Sequence, residues 1–193
     1  MKIIAIVQAR MGSKRLPGKV MLEVKGKPLI GYLIDRLKQV NGLDGIVVAI
    51  PLCDADSPLQ HYVNSRGVTV YCGNEENDLC ARFLGVLDME PCDAFVRICA
   101  DSPLIEPQVV NLVVDRLRHG ATFFSTAGMK MFGPGNSVEG CIVSTYRMIC
   151  SFADQTDREH AGFPWFYREN VKTSGLVDTP EDFERVKSKI END

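Results

Sequence analysis

Near its start the chain passes from an unbroken apolar stretch, Ile3–Val7 (IIAIV), straight into a loop carrying Arg10, Gly12, Ser13, Lys14, Arg15, Gly18 and Lys19. A short apolar run bounded by turn residues is the pattern of a strand buried on both faces, and such strands belong to parallel sheets covered by helices. Loops leaving the carboxyl ends of those strands are where open α/β sheets bind ligands. Glycine lets the backbone approach an anion closely, while Arg and Lys neutralise its charge. The opening of the chain therefore predicts an α/β fold with a phosphate or nucleotide site beside its first strand.

The rest of the sequence repeats the alternation. Gly45–Ile50, Val68–Tyr71 and Ala94–Cys99 read as further buried strands. Between them, Pro28–Val40 places Ile30, Leu33, Ile34, Leu37 and Val40 on one helical face. Ser57–Ser65 opens with Pro58 in its first turn, and Asp78–Leu87 starts behind Asn77 or Asp78 as a cap. Pro107–Leu117 is a fourth, amphipathic helix. Strands alternating with helices predict a right-handed parallel sheet. After Gly120 the pattern loosens into strands at Ala121–Thr126 and Val138–Ser144, separated by MKMFGPGNS. Helices then follow near Tyr146–Phe152, from Asp157 with a capping box from Thr156 to Glu159, and from Pro180. With 193 residues, no linker and no repeat, one domain over residues 1–193 is expected.

Charge narrows the ligand. Met1 to Lys27 holds Lys2, Arg10, Lys14, Arg15, Lys19, Lys25 and Lys27 against Glu23 as its one acid, so the remainder of this chain of net charge −3 is acidic. A positive mouth on an acidic body suits a small polyanion and argues against a general nucleic-acid binder. No stretch reaches the roughly 20 apolar residues of a membrane span. The seven cysteines (53, 72, 80, 92, 99, 141 and 150) form no C-x-x-C pair, so reduced thiols in a cytoplasmic protein are expected and zinc is not.

The first loop fits neither standard phosphate motif. Five residues separate Gly12 from Gly18 and Val20 follows Lys19, so the G-x-x-x-x-G-K-[ST] pattern fails. The G-x-G-x-x-G fingerprint is absent too. What remains, R-x-G-S-x-R-L-P-G-K followed by Gly26-Lys27-Pro28-Leu29, resembles the signature of the sugar-activating cytidylyltransferases. Those are the CMP-sialic acid and CMP-KDO synthetases and, most closely, the spore-coat polysaccharide type. Two further segments carry the resemblance in the same order. Arg97-Ile98-Cys99-Ala100-Asp101-Ser102-Pro103-Leu104-Ile105 is similar to the family's G-D-x-P-L-I metal segment, with Ala100 in place of its glycine. Val177-Asp178-Thr179-Pro180-Glu181-Asp182 is similar to the segment that supplies the family's second metal carboxylate. Read by itself, Asp101-Ser102-Pro103 is equally a turn, and Thr179-Pro180 is a strong helix start with Asp178 unexplained.

The resemblance implies a three-layer, Rossmann-like, mostly parallel sheet of the nucleotide-diphospho-sugar transferase type. It implies transfer of CMP from CTP to a sugar or sugar acid with release of pyrophosphate, for surface polysaccharide or glycoconjugate synthesis. Arg10, Gly12, Ser13, Arg15 and Lys19 would hold the triphosphate, with Lys19, Arg15 and Asp101 catalytic. Asp101 and Asp178 would bind Mg2+. Glu75, Asp78 and Arg82 in GNEENDLCARF resemble the lining of the family's cytosine pocket, although exposed helix charges read the same way, and Arg97 joins the nucleotide set. Val138-Glu139 and Arg158-Glu159-His160 resemble segments at the sugar, which makes Glu139 and His160 acceptor-site candidates. Phe163–Tyr167 (FPWFY) reads as core or dimer contact, and a homodimer is expected. Between His160 and Asp178 the chain is shorter than the family norm. A nucleotidyltransferase for another NTP or a non-sugar acceptor stays open at this stage, as does a catalytically silent nucleotide-binding relative.

Overall fold

The computed structural model describes residues 1–52, 54–73, 77–162 and 180–192. Its centre is β1, Ile3–Gln8, a strand with no exposed residue from Ile3 to Val7. Side chains alternate across a strand, and here both sets are apolar. Ile3, Ala5 and Val7 enter one core while Ile4 and Ile6 enter the other. That double burial needs neighbours on both edges and helices on both faces.

Parallel partners flank it on either side. β4 (Gly45–Pro51) pairs with Ile6 opposite Val47, and β6 (Ala94–Cys99) pairs with Ile6 opposite Arg97. β5 (Thr69–Gly73) extends one edge in parallel. On the other edge β8 (Glu139–Ile142) runs antiparallel to β6 and to β7 (Phe123–Ser125). The six-stranded order is β5-β4-β1-β6-β8-β7. The sheet is thus mostly parallel, with one reversed strand in the irregular C-terminal third. β2 (Glu23–Val24) and β3 (Lys27–Pro28) form a separate small hairpin.

Three helices, α1 (Leu29–Leu37), α2 (Ser57–Ser65) and α4 (Pro107–Arg118), cover the face bearing Ile3, Ala5 and Val7. α3 (Leu79–Met89) and α5 (Val143–Phe152) cover the other, where Phe83, Phe95 and Tyr146 meet in edge and tilted ring contacts. Gly140 on β8 lets α4 come close, since a Cβ there would lie 2.5 Å from Val113 Cγ1. The chain adds α6 (Gln155–Glu159) and α7 (Pro180–Asn192), and α7 packs Val186 and Ile190 on Val24 and Leu29.

Local boundaries correct several expectations. The last strand ends at Ile142, and α5 already begins at Val143, so Ser144 is helical. The capping box of α6 runs from Asp154 to Asp157, not from Thr156 to Glu159, because Asp154 Oδ1 accepts Asp157 N–H at 2.8 Å. Asp178, Glu75 and Phe163–Tyr167 lie outside the described residues.

Candidate active site at the carboxyl edge of the sheet

Gln8 and Cys99 end adjacent strands in register, so the loops that follow them leave the sheet side by side. Ala100 N–H donates to Gln8 O at 3.0 Å and stitches the two exits together. A cleft of about 630 Å3 opens there. One wall is the first loop, from Gln8 to Val20. The others come from the start of α3 (Asn77, Leu79, Arg82), the turn after β6 (Cys99 to Ser102), Ser137 and Glu139 beside β8, and Glu159 and His160 at the end of α6.

The first loop curls around a single carbonyl. Met11 O accepts Ser13 N–H and Gly18 N–H, both at 2.9 Å, and Ser13 Oγ accepts Leu16 N–H at 3.3 Å. Gly18 closes this curl with φ +69°, a left-handed conformation that a side chain resists. From outside, Asp56 Oδ1 accepts Met11 N–H at 2.7 Å. Asp56 is 1% exposed and precedes α2 without capping it through its side chain. The curl presents Arg10, Ser13, Lys14, Arg15 and Lys19 to the cleft.

Two ion pairs set the floor. Lys19 Nζ donates to Asp101 Oδ2 at 2.7 Å, with both side chains mostly buried. Arg97, on β6, stands opposite Glu139 on β8; its guanidinium binds Glu139 Oε2 and donates from Nε to Gln8 Oε1 at 2.8 Å. Arg97 and Glu139 are 3% and 4% exposed. Each pair leaves one buried carboxylate oxygen with no hydrogen-bond partner among the described residues, Asp101 Oδ1 and Glu139 Oε1. Such oxygens are costly unless something binds them. Burial pushes the thiol of Cys99, which lines the cleft, up to about 12.

The structure brings Arg10, Ser13, Arg15, Lys19, Arg82, Arg97, Asp101, Glu139 and His160 to one cleft. Two expected residues stand off its wall. Gly12 is exposed and does not line the cleft, and the left-handed turn falls on Gly18. Asp78 caps α3 through Oδ1, 2.8 Å from Ala81 N, and gives Oδ2 to Arg158. Asp178 lies outside the described residues, and among the described residues no group of three or more metal-ligating side chains forms. Sequence reasoning missed Asp56 and Gln8, whose roles come from contacts 45 and 89 residues away.

Sheet order, cleft position and charge define a Rossmann-like nucleotidyltransferase fold. The chain superposes on a cytidylyltransferase of Leptospira borgpetersenii with TM-score 0.90 at 27% identity, over 100% of this chain and 88% of that one. The cytidylyltransferase family model matches residues 4–182, and the chain belongs to that family. It is 38% identical over 117 residues to the uncharacterized protein MJ1063 of Methanocaldococcus jannaschii, covering 61% of this chain and 48% of that one. It is 26% identical over 206 residues to the spore coat polysaccharide biosynthesis protein SpsF of Bacillus subtilis, covering 96% and 85%. Against the 3-deoxy-manno-octulosonate cytidylyltransferase of Escherichia coli it is 28% identical over 117 residues, covering 61% and 46%. The chain thus spans about half the length of two of these relatives.

Proposed function

We propose that this chain transfers CMP from CTP to a sugar or sugar acid, releasing pyrophosphate, in the synthesis of surface polysaccharide or glycoconjugate. Family membership supports the class, and the names of SpsF and of the octulosonate enzyme support an acceptor of that chemistry. The observation that carries the reading is the Lys19–Asp101 pair, a cation and a carboxylate held together where the first loop meets the turn after β6. The reaction joins an acceptor hydroxyl to the α-phosphorus while the bond to pyrophosphate breaks. That step needs positioning and charge neutralisation rather than a covalent enzyme intermediate. Arg10, Arg15 and Lys19 neutralise the triphosphate, and Arg82 faces the same space from α3.

The donor set suits Mg2+, a hard cation that takes one or two carboxylates together with phosphate oxygens. Asp101 offers its unpartnered Oδ1, and Asp178 is the second ligand by family resemblance. When bound, Mg2+ adds charge neutralisation and orientation of phosphate oxygens. Glu139, with Oε1 unpartnered, and His160 receive the acceptor. Among the described residues no helix is long and apolar enough to cross a membrane, and the free thiols fit a cytoplasmic setting. Met148 and Phe152, exposed one turn apart on α5, fit a homodimer contact. Pyrophosphate release with CTP and Mg2+ across a panel of sugars and sugar acids, 3-deoxy-manno-octulosonate among them, tests the assignment. Release with one acceptor and CTP, and not with ATP, GTP or UTP, is expected. No release with any acceptor, or a preference for another NTP, overturns it.

A further inference from the structure

α6 is a five-residue helix with no buried residue of its own. Helices that short have little intrinsic stability, so tertiary contacts must hold them. Its capping box between Asp154 and Asp157 is internal and fixes nothing relative to the rest of the fold. Arg158 supplies an external tie. Its Nε and one terminal nitrogen each lie 2.7 Å from Asp78 Oδ2, and its other terminal nitrogen donates to Cys150 O at 3.3 Å. One guanidinium therefore grips the start of α3 and the last turns of α5 together. Just beyond it, Ala161 plugs the second core at 0% exposure with φ +57°, a conformation unfavourable to alanine, so the chain turns sharply there. Between those two anchors stand Glu159 and His160, which form the α6 wall of the cleft.

The partner is equally specific. Asp78 uses Oδ1 to cap α3 and Oδ2 to hold Arg158. Arg82, one turn along α3, faces the cleft from the nucleotide side, and its N–H donates to Asp78 O at 3.1 Å. The latch thus joins the nucleotide wall to the wall carrying His160.

We infer that Arg158 is a positioning residue, which through Asp78 sets the place of Glu159 and His160 and hence the fit of the acceptor rather than of CTP. The inference rests on the functional reading above for its acceptor arm only. A planar guanidinium gripping two elements at once has no equivalent in lysine, so Arg158→Lys should restore the latch only in part.

Two measurements on the full chain decide it. Amide hydrogen exchange of the ligand-free protein comes first, comparing wild type with Arg158→Gln and Asp78→Asn; asparagine keeps the cap, so the second variant removes the ion pair without unseating α3. Exchange over residues 155–162 should quicken by at least about tenfold in both variants while α4 stays unchanged. Unchanged exchange at 155–162 overturns the latch. The second is steady-state kinetics of Arg158→Gln with CTP and the panel acceptor of highest turnover. The acceptor KM should rise by about tenfold with the KM for CTP within about twofold of wild type, and Arg158→Lys should fall between. Equal rises in both KM values, or no rise in either, overturn the positioning role. The exchange measurement needs no turnover, so failure of the proposed reaction and failure of the latch are read separately.

Discussion

Lys19 Nζ and Asp101 Oδ2 lie 2.7 Å apart although 82 residues separate them in the chain. The parallel pairing of β1 and β6 brings them together, since it delivers both strand ends to the same edge in register. Lys19 holds one oxygen of Asp101, and the other is buried with no hydrogen-bond partner among the described residues. Lys19→Ala and Asp101→Ala should each lower kcat for pyrophosphate release by about 100-fold or more, the scale for removing one preorganised electrostatic group. Far-ultraviolet circular dichroism should stay at wild type. Turnover that survives both changes would remove the pair from the catalytic centre.

Arg97 and Glu139 face each other across β6 and β8, nearly inaccessible to solvent. Breaking one side of a buried pair leaves the other charge stranded, at about 3–5 kcal/mol. For a chain of this size that lowers Tm by about 6–20 °C. Glu139→Gln should show this in thermal denaturation. Replacing both, Arg97→Met with Glu139→Leu, should recover most of the Tm, because the stranded charge is gone, yet still release no pyrophosphate. Full activity in the double variant would show that the pair only supports the sheet.

Much of this layout was legible in the sequence because its signals are local. The run IIAIV ends one residue short of β1 and AFVRIC coincides with β6, and the cationic loop and Asp101 follow close behind them. What stayed hidden depends on tertiary contact. Nothing in Asp54-Ala55-Asp56 shows that Asp56 passes over its own helix to hold Met11. Asp78 read as a pocket residue from its neighbours, whereas its second oxygen is taken by Arg158, 80 residues on. Reversal of β8 was equally invisible, since Glu139–Ile142 is apolar enough to pair either way. The family resemblance assigns Gly12 to the triphosphate and passes over Gly18, whose +69° φ shows that it makes the turn.

Asp56 gives a prediction of its own. Its carboxylate accepts the Met11 N–H, and the first loop curls around the carbonyl of that same residue. Asp56→Ala leaves that N–H without its acceptor, at about 1–3 kcal/mol. CTP affinity should fall by about tenfold, the equivalent of about 1.4 kcal/mol. Asp56→Asn, which keeps an oxygen acceptor, should lose less. Isothermal titration with CTP measures both. Equal affinity in Asp56→Ala and wild type would mean that the backbone curl alone orders the loop.

Acid stability should report on Asp35, which sits on α1 between the side chains of Lys27 and Arg66. Burial by itself would raise its pKa, but the Lys27 hydrogen bond and the two nearby cations outweigh that and hold it below its ordinary 3.8. A carboxyl depressed on folding stabilises the folded state while ionised. Its contribution is complete above the unfolded value and drains away as pH falls through the folded one. Because the side chain is 34% exposed, solvent screening keeps that contribution to about 1 kcal/mol or less. Asp35→Asn removes the titration without removing the shape. The gap in Tm between wild type and Asp35→Asn should therefore hold steady from pH 7 to pH 5 and narrow below 3.8. Thermal melts of both proteins in the same buffers isolate this group, since every other carboxylate is common to the pair. A gap that persists unchanged at pH 3 would show that Lys27 and Arg66 do not depend on the charge of Asp35 for their places.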